Sequence, residues 1–236
     1  MKIFTFDQLP LQVVKSGGFD DTCRMSFSEE SIRALVNNRI KINIYKIGDK
    51  YKISNFEVII KSDSGNINIF VGDDDSIIYF GEHTSGNFHL IMWRRSKVII
   101  GKNTTSNGTR IFCDNSEFRC GEDCMFSDNI LIQCGDQHGI VNIQSGEIVN
   151  NVFKSVVLGD HVWLGRKSIV IGNAEIGNGT IIGAGAVVIK KIPEKVIAAG
   201  QPAIIINENY TWCRSPVCLD EFSKQYIFEY CNQENE

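Results

Sequence analysis

Residues 158–188 read LGDHVWLGRKSIVIGNAEIGNGTIIGAGAVV, and stepping through them by six decides the fold. Every landing is aliphatic: Leu158, Leu164, Val170, Ile176, Ile182 and Val188. Two residues before each landing stand Val156, Val162, Ser168, Ala174, Thr180 and Ala186, all small or β-branched. Positions i and i−2 of a strand share a face, so each unit is a short strand with one large and one small inward side chain. The remaining three residues turn the chain, as in Gly159-Asp160-His161, Gly165-Arg166-Lys167 and Gly183-Ala184-Gly185. A helix is excluded, because the period is no multiple of 3.6 and each internal glycine would cost about 1 kcal/mol. The pattern predicts a coil of short strands that closes and stacks on itself.

The residue before each landing points outward: Val157, Trp163, Ile169, Glu175, Ile181 and Val187. All but Glu175 are apolar. Apolar surface of this extent asks for a partner, and symmetric self-association is the usual answer. Folding back of the terminal segments over these faces is the alternative.

The ends of the chain read differently. Residues 28–37 (SEESIRALVN) predict a short helix with Ser28 as its cap and Glu29 and Glu30 in the first turn. Ile40, Ile42 and Ile44 alternate, then Gly48-Asp49 precedes Tyr51 and Ile53, which predicts a β-hairpin. Leu219, Phe222, Tyr226 and Tyr230 lie at helical spacing and predict a helix over the last coil's edge.

Composition narrows the function classes. A net charge of −4 with no dense basic tract argues against nucleic acid. No apolar run approaches the roughly 20 residues that span a bilayer, and the N-terminus lacks the pattern of a signal peptide. The eight cysteines form no Cys-x-x-Cys pair, so they are read as free thiols of a cytoplasmic protein.

The staircase resembles the hexapeptide-repeat acyltransferase family, in which three units make one triangular coil of a left-handed parallel β-helix. By that resemblance Leu158 to Ile176 is one coil. Upstream, Cys120, Phe126 and Ile132 also step by six, with Cys124 and Ile130 at the smaller inward sites. The 20 residues from Ile100 to Cys120 then suggest a coil with a two-residue insertion. The expected class is therefore all-β dominated: a small α+β region over 1–56, a left-handed parallel β-helix over 57–206, and a C-terminal extension with a helical cap over 207–236. The resemblance also implies a homotrimer with active sites between neighbouring subunits.

Regularity breaks at about 134–155, CGDQHGIVNIQSGEIVNNVFKS, an excursion long enough to suggest function. It carries His138 in Gly135-Asp136-Gln137-His138-Gly139. Acyl transfer to a hydroxyl needs a base, and an imidazole suits that task. The string resembles the Asp-x-His segment that bears the catalytic histidine of sugar O-acetyltransferases in this family, most closely the polysaccharide and sialic acid branch. Gly139 departs from the proline common there. Asp136 either orients His138 or caps the turn. His161, in a corner triplet, is read as structural. His83 and His89 do not make the paired set of the family's zinc branch, so no metal is expected.

The resemblance further implies that Trp163 walls the acceptor or acetyl pocket. It places acetyl-CoA against the corners Gly165-Arg166 and Gly183-Ala184, with Lys190 and Lys191 near the coenzyme phosphates. Ile204 stands where the family carries a basic residue. The expected activity is acetyl-CoA-dependent O-acetylation of a sugar hydroxyl, on a capsular or other cell-surface polysaccharide. N-acylation of an amino sugar nucleotide and a non-catalytic scaffold are the alternatives.

Overall fold

The computed structural model describes residues 1–220, 223, 224 and 227. One sheet runs β1 (Lys2–Thr5), β3 (Arg24–Phe27), β5 (Glu57–Ile60), β7 (Ile77–Phe80), β9 (Lys97–Ile100), β11 (Ser116–Cys120), β14 (Lys154–Leu158) and β17 (Glu175–Ile176). A second begins β2 (Val13–Ser16), β4 (Ile40–Lys46), β6 (Gly65–Val71), β8 (Ser85–Met92) and β10 (Thr105–Cys113). Past β10 it divides. One branch is β12 (Met125–Phe126), β15 (Trp163–Leu164), β18 (Ile181–Ile182), β20 (Val196–Gly200) and β21 (Ala203–Glu208). The other is β13 (Ile130–Gln133), β16 (Ile169–Ile171) and β19 (Val187–Val188).

These are the three faces of a prism. The chain passes from the first face (β14) to the second (β15), the third (β16), and back to the first (β17). Leu158 pairs in parallel with Ile176, Trp163 with Ile181 and Ile169 with Val187. The inward positions of the staircase, large and small alike, are buried. Each buried aliphatic side chain stabilises the coil by roughly 1.5–3 kcal/mol. The predicted step of 20 also holds, since Ile100 pairs with Cys120.

Extra residues collect at one place. Between Val170 and Ile176 the third corner takes the standard step, but between Ile111 and Cys120, which stand in the same columns two coils earlier, it is longer. At the next level the same corner holds the whole excursion between β13 and β14. The third corner is thus the irregular edge of the prism.

The first corner is a regular ladder. His83, Asn103, Asp123 and His161 all adopt positive φ there. The amides of Asn103, Asp123 and His161 donate to the carbonyls of Glu82, Lys102 and Glu122 in the preceding coil.

One expectation is corrected and another is left without support. The hairpin at 40–53 does not form: β4 pairs in parallel with β2 and β6, and Ile53 bridges in parallel to Phe19. The alternation of Ile40, Ile42 and Ile44 correctly marks a strand buried on one side. Its partners, however, lie one coil away rather than next in sequence. The sheets therefore run through residue 56 without a break, and a single apolar cluster extends from Phe6 to Ala203. The predicted short helix is present as α1 (Glu29–Val36), with the Ser28 hydroxyl accepting from the Ser31 amide at 3.0 Å. The C-terminal helical cap is not supported. Most of the segment from Leu219 to Tyr230 lies outside the described residues. Among the described residues β21 lies antiparallel along β20 and supplies its backbone partners.

Candidate active site

The second corner carries one half of the site. Between coils, a cleft of about 470 Å³ is lined by Trp163, Gly165, Arg166, Gly183 and Ala184, together with Ser127 and Asp128. Five residues singled out in the sequence thus line one depression. Trp163 stands half-buried on the second face, its indole N–H donating to Ser127 Oγ at 3.3 Å. Arg166 Nε donates to Asp128 Oδ1 at 2.6 Å, and that bond holds the Asp128 carboxyl below the usual range. Gly165 has a structural reason to be glycine: a Cβ there would lie 2.6 Å from the Ile182 carbonyl oxygen. Lys190 and Lys191 are exposed and do not line this cleft; Lys191 pairs with Glu175 at 3.1 Å.

The third corner carries the other half. From it the excursion folds out as an arm, closed by an antiparallel bridge between Val141 and Ile148. His138 is exposed at the arm's base, facing two depressions. One, of about 180 Å³, is shared with Arg94, Asp136, Ile148 and Asn150. The other, of about 260 Å³, is shared with Trp93, Phe112 and Asp114. Arg94 holds Asp114 with two bonds, at 2.8 and 3.1 Å. Trp93, Arg94, Phe112 and Asp114 escaped the sequence reading. The 20-residue step relating Arg94 to Asp114 was the available signal.

Asp136 does not meet the imidazole. Its Oδ2 accepts from Lys154 Nζ at 2.5 Å and from Asn150 Nδ2 at 2.9 Å. Those two bonds hold its carboxyl below the usual range, Lys154 contributing most. Asn150 is the hub of the arm's base. Its Nδ2 also donates to the His138 carbonyl at 2.8 Å, and its Oδ1 accepts from the Ile140 amide at 2.7 Å. One side chain therefore ties residues 136, 138 and 140. Neither Asn150 nor Lys154 has a spacing that would have marked it in advance.

His161 is structural, as its corner position suggested. It is buried, with Nδ1 2.6 Å from Asp123 Oδ2 and Nε2 2.9 Å from the Trp212 carbonyl oxygen. Its ring stacks on Trp212 at 4.2 Å, and Arg214 closes on the other Asp123 oxygen at 2.7 Å. This cluster fastens the C-terminal segment beside Trp163, whose ring centroid lies 6.3 Å from that of Trp212. Folding back of a terminal segment thus does occur, but it leaves Ile169, Ile181 and Val187 partly open.

The two half-sites lie at opposite edges of the third face. That face carries an outward apolar column of Leu131, Ile169 and Val187 in register. The arm adds further exposed apolar side chains, among them Ile140, Ile143, Ile148, Val152 and Phe153. No described helix is long and apolar enough to cross a membrane.

Comparison with known proteins bears on these features. Residues 155–190 match the family described as bacterial transferase hexapeptide (six repeats). Over 127 residues the chain is 30% identical to a polysialic acid O-acetyltransferase of Escherichia coli O1:K1 / APEC, covering 53% of this chain and 41% of that protein. A polysialic acid O-acetyltransferase of Neisseria meningitidis is 31% identical over 132 residues, 55% of either chain. The putative lipopolysaccharide biosynthesis O-acetyl transferase WbbJ of Escherichia coli K12 is 30% identical over 57% of this chain and 74% of its own length. The chain spans about half the length of the first two relatives. In fold it is similar to the polySia-specific acetyltransferase NeuO, with TM-score 0.76 and 24% identity over 92% of this chain and 97% of that one.

Proposed function

The chain belongs to the hexapeptide-repeat transferase family, and on that premise we propose that it is an acetyl-CoA-dependent O-acetyltransferase of a sugar hydroxyl. The acceptor is a capsular or other cell-surface polysaccharide sugar, by analogy with the relatives' names. The protein works in the cytoplasm, and its coil has the left-handed winding of the family. The observation that carries the reading is the separation of two complementary half-sites by one apolar face. A cleft of small corner residues suits a pantetheine chain, and an exposed histidine suits a hydroxyl. Neither half suffices alone.

A homotrimer resolves the separation. If the third faces of three copies surround one axis, each copy's third corner meets the next copy's second corner. His138 of one subunit then stands over the cleft of its neighbour, and the apolar column and arm are buried in the same step.

The chemistry follows from that juxtaposition. With acceptor and acetyl-CoA bound together, His138 takes the hydroxyl proton as the oxygen attacks the thioester carbonyl. The Arg166 amide, at the corner that lines the cleft, serves in this reading as donor to the tetrahedral oxyanion. As the intermediate collapses, the C–S bond breaks and the imidazolium returns its proton to the leaving CoA thiolate. Trp163 walls the pocket; Asp136 serves through Asn150 by holding the loop.

Two subunit types test both claims at once. His138→Ala removes the base, and Gly183→Trp fills the cleft. Each homo-oligomer is expected to be inactive towards polysaccharide acceptors. Co-expressed, they are expected to recover activity, because some interfaces pair an intact cleft with an intact histidine. Full activity of His138→Ala would sink the mechanism. Absence of recovery in confirmed mixed oligomers would sink the shared site.

A further inference from the structure

The first corner holds a second histidine in the same setting as His161. His83 also has positive φ, and its Nδ1 faces a carboxylate of the preceding coil, Asp63 Oδ2, at 3.2 Å. The third partner differs. His161 is completed by a backbone carbonyl and by an arginine on its aspartate. At His83 the third group is another carboxylate, that of Glu30 in the first turn of α1. Ligand atoms of Glu30, Asp63 and His83 all lie within 4.8 Å of one another.

Two carboxylates are thus brought together around one imidazole, with no Lys or Arg paired to either among the described residues. The neighbouring Lys61 is turned to Glu82 instead. Like charges so close are unfavourable unless a cation lies between them. The three residues come from three separate segments, at the helix and at two successive corners, so sequence proximity does not explain their convergence. One imidazole nitrogen with two carboxylate oxygens suits zinc, cobalt or manganese better than the all-oxygen shells of calcium and magnesium. The open outer side leaves room for water to complete the shell.

We propose that Glu30, Asp63 and His83 bind one divalent transition-metal ion that staples α1 to the two coils beneath it. The site lies at the first corner, away from both half-sites of the proposed reaction, and its role is to hold the end of the coil. It is independent of the acetyltransferase reading.

The test uses the full chain, stripped with EDTA and dialysed. Zinc added alone is expected to bind at one equivalent per chain by calorimetry and to raise Tm as its concentration rises. Amide exchange in α1 is expected to slow while the coils at β15–β19 are unchanged. Cobalt is expected to give a visible spectrum of nitrogen and oxygen ligation. H83A removes an exposed ring and E30Q neutralises an exposed carboxylate, so both variants should fold normally. Each is expected to weaken zinc at least about tenfold, no less than the loss of a supporting residue costs a metal site. Equal binding by these variants would overturn the proposal. A thiolate-to-cobalt charge-transfer band would overturn it too, by putting the ion on a cysteine. So would no saturable binding with a protonated His83 bridging both carboxylates.

Discussion

The coils at 154–188 and the arm at 134–153 lie side by side, yet they are held by different means. In the coils every inward side chain is buried and the backbone pairs at a fixed interval, so position follows from period. In the arm most residues are exposed, and position depends on a few side-chain bonds from Asn150 and Lys154. The cleft is built on the first and the histidine is carried by the second. Stability and chemistry should therefore separate cleanly under mutation.

His138→Ala is expected to show the largest effect. Loss of a general base lowers turnover by about 10²–10⁴-fold. Because the ring is exposed and has no hydrogen-bond partner among the described residues, the denaturation midpoint should not move. Paired turnover and denaturation measurements check this; a large loss of stability would mean that the arm is part of the core. Leu164→Ala is the opposite case. The side chain is fully buried between coils, so the cavity is expected to cost about 2–5 kcal/mol. Activity per folded molecule should change far less than for the histidine variant.

The same contrast explains what was legible in the sequence. The coils could be read because period six leaves a mark at every inward site, from Leu158 to Val188. The first-corner role of His161 could be read because its triplet fixes where it sits. The strand at Ile40–Ile44 was recognised, but its pairing was not, since a coil partner more than twenty residues away leaves no local trace. His138 was found only because the period stops there. What holds it could not be read. Asn150 and Lys154 act through contacts set by the arm's own fold, and Arg94 and Asp114 arrive from two other coils.

Asn150→Ala sharpens the comparison further. It removes the bonds to Asp136, His138 and Ile140 together. Each is exposed or nearly so and contributes about 0.5–1.5 kcal/mol at most. Water replaces them, and the global midpoint should barely shift. The loop bearing His138 loses its tether, so turnover is expected to fall about tenfold or more through misplacement of the base. Hydrogen exchange at residues 136–140 should quicken. Unchanged turnover with quickened exchange would show that the neighbouring subunit, not Asn150, positions the histidine.

The smallest effect concerns acid. Asp136 has its carboxyl lowered from 3.8, chiefly by Lys154 and then by Asn150. A carboxyl depressed in the folded state stabilises it above its unfolded pKa, and that contribution fades as pH falls through the folded value. The arm's base is therefore expected to stay closed at neutral pH and to loosen only below about 4, near the reference carboxyl value. Lys154→Met removes the larger cause, so the folded Asp136 carboxyl should rise towards its unfolded value, and the acid-dependent part of the hold should shrink and be fully lost at a higher pH. The readout is protection of the Ile140 and Val149 amides, which bond to Asn150 Oδ1 and the Ile140 carbonyl respectively, followed against pH. The coils have no such carboxylate tether at their inward positions, so their amides should keep their protection over the same range. Parallel loss in both regions would mean that acid acts on the whole prism and that the arm has no separate hold.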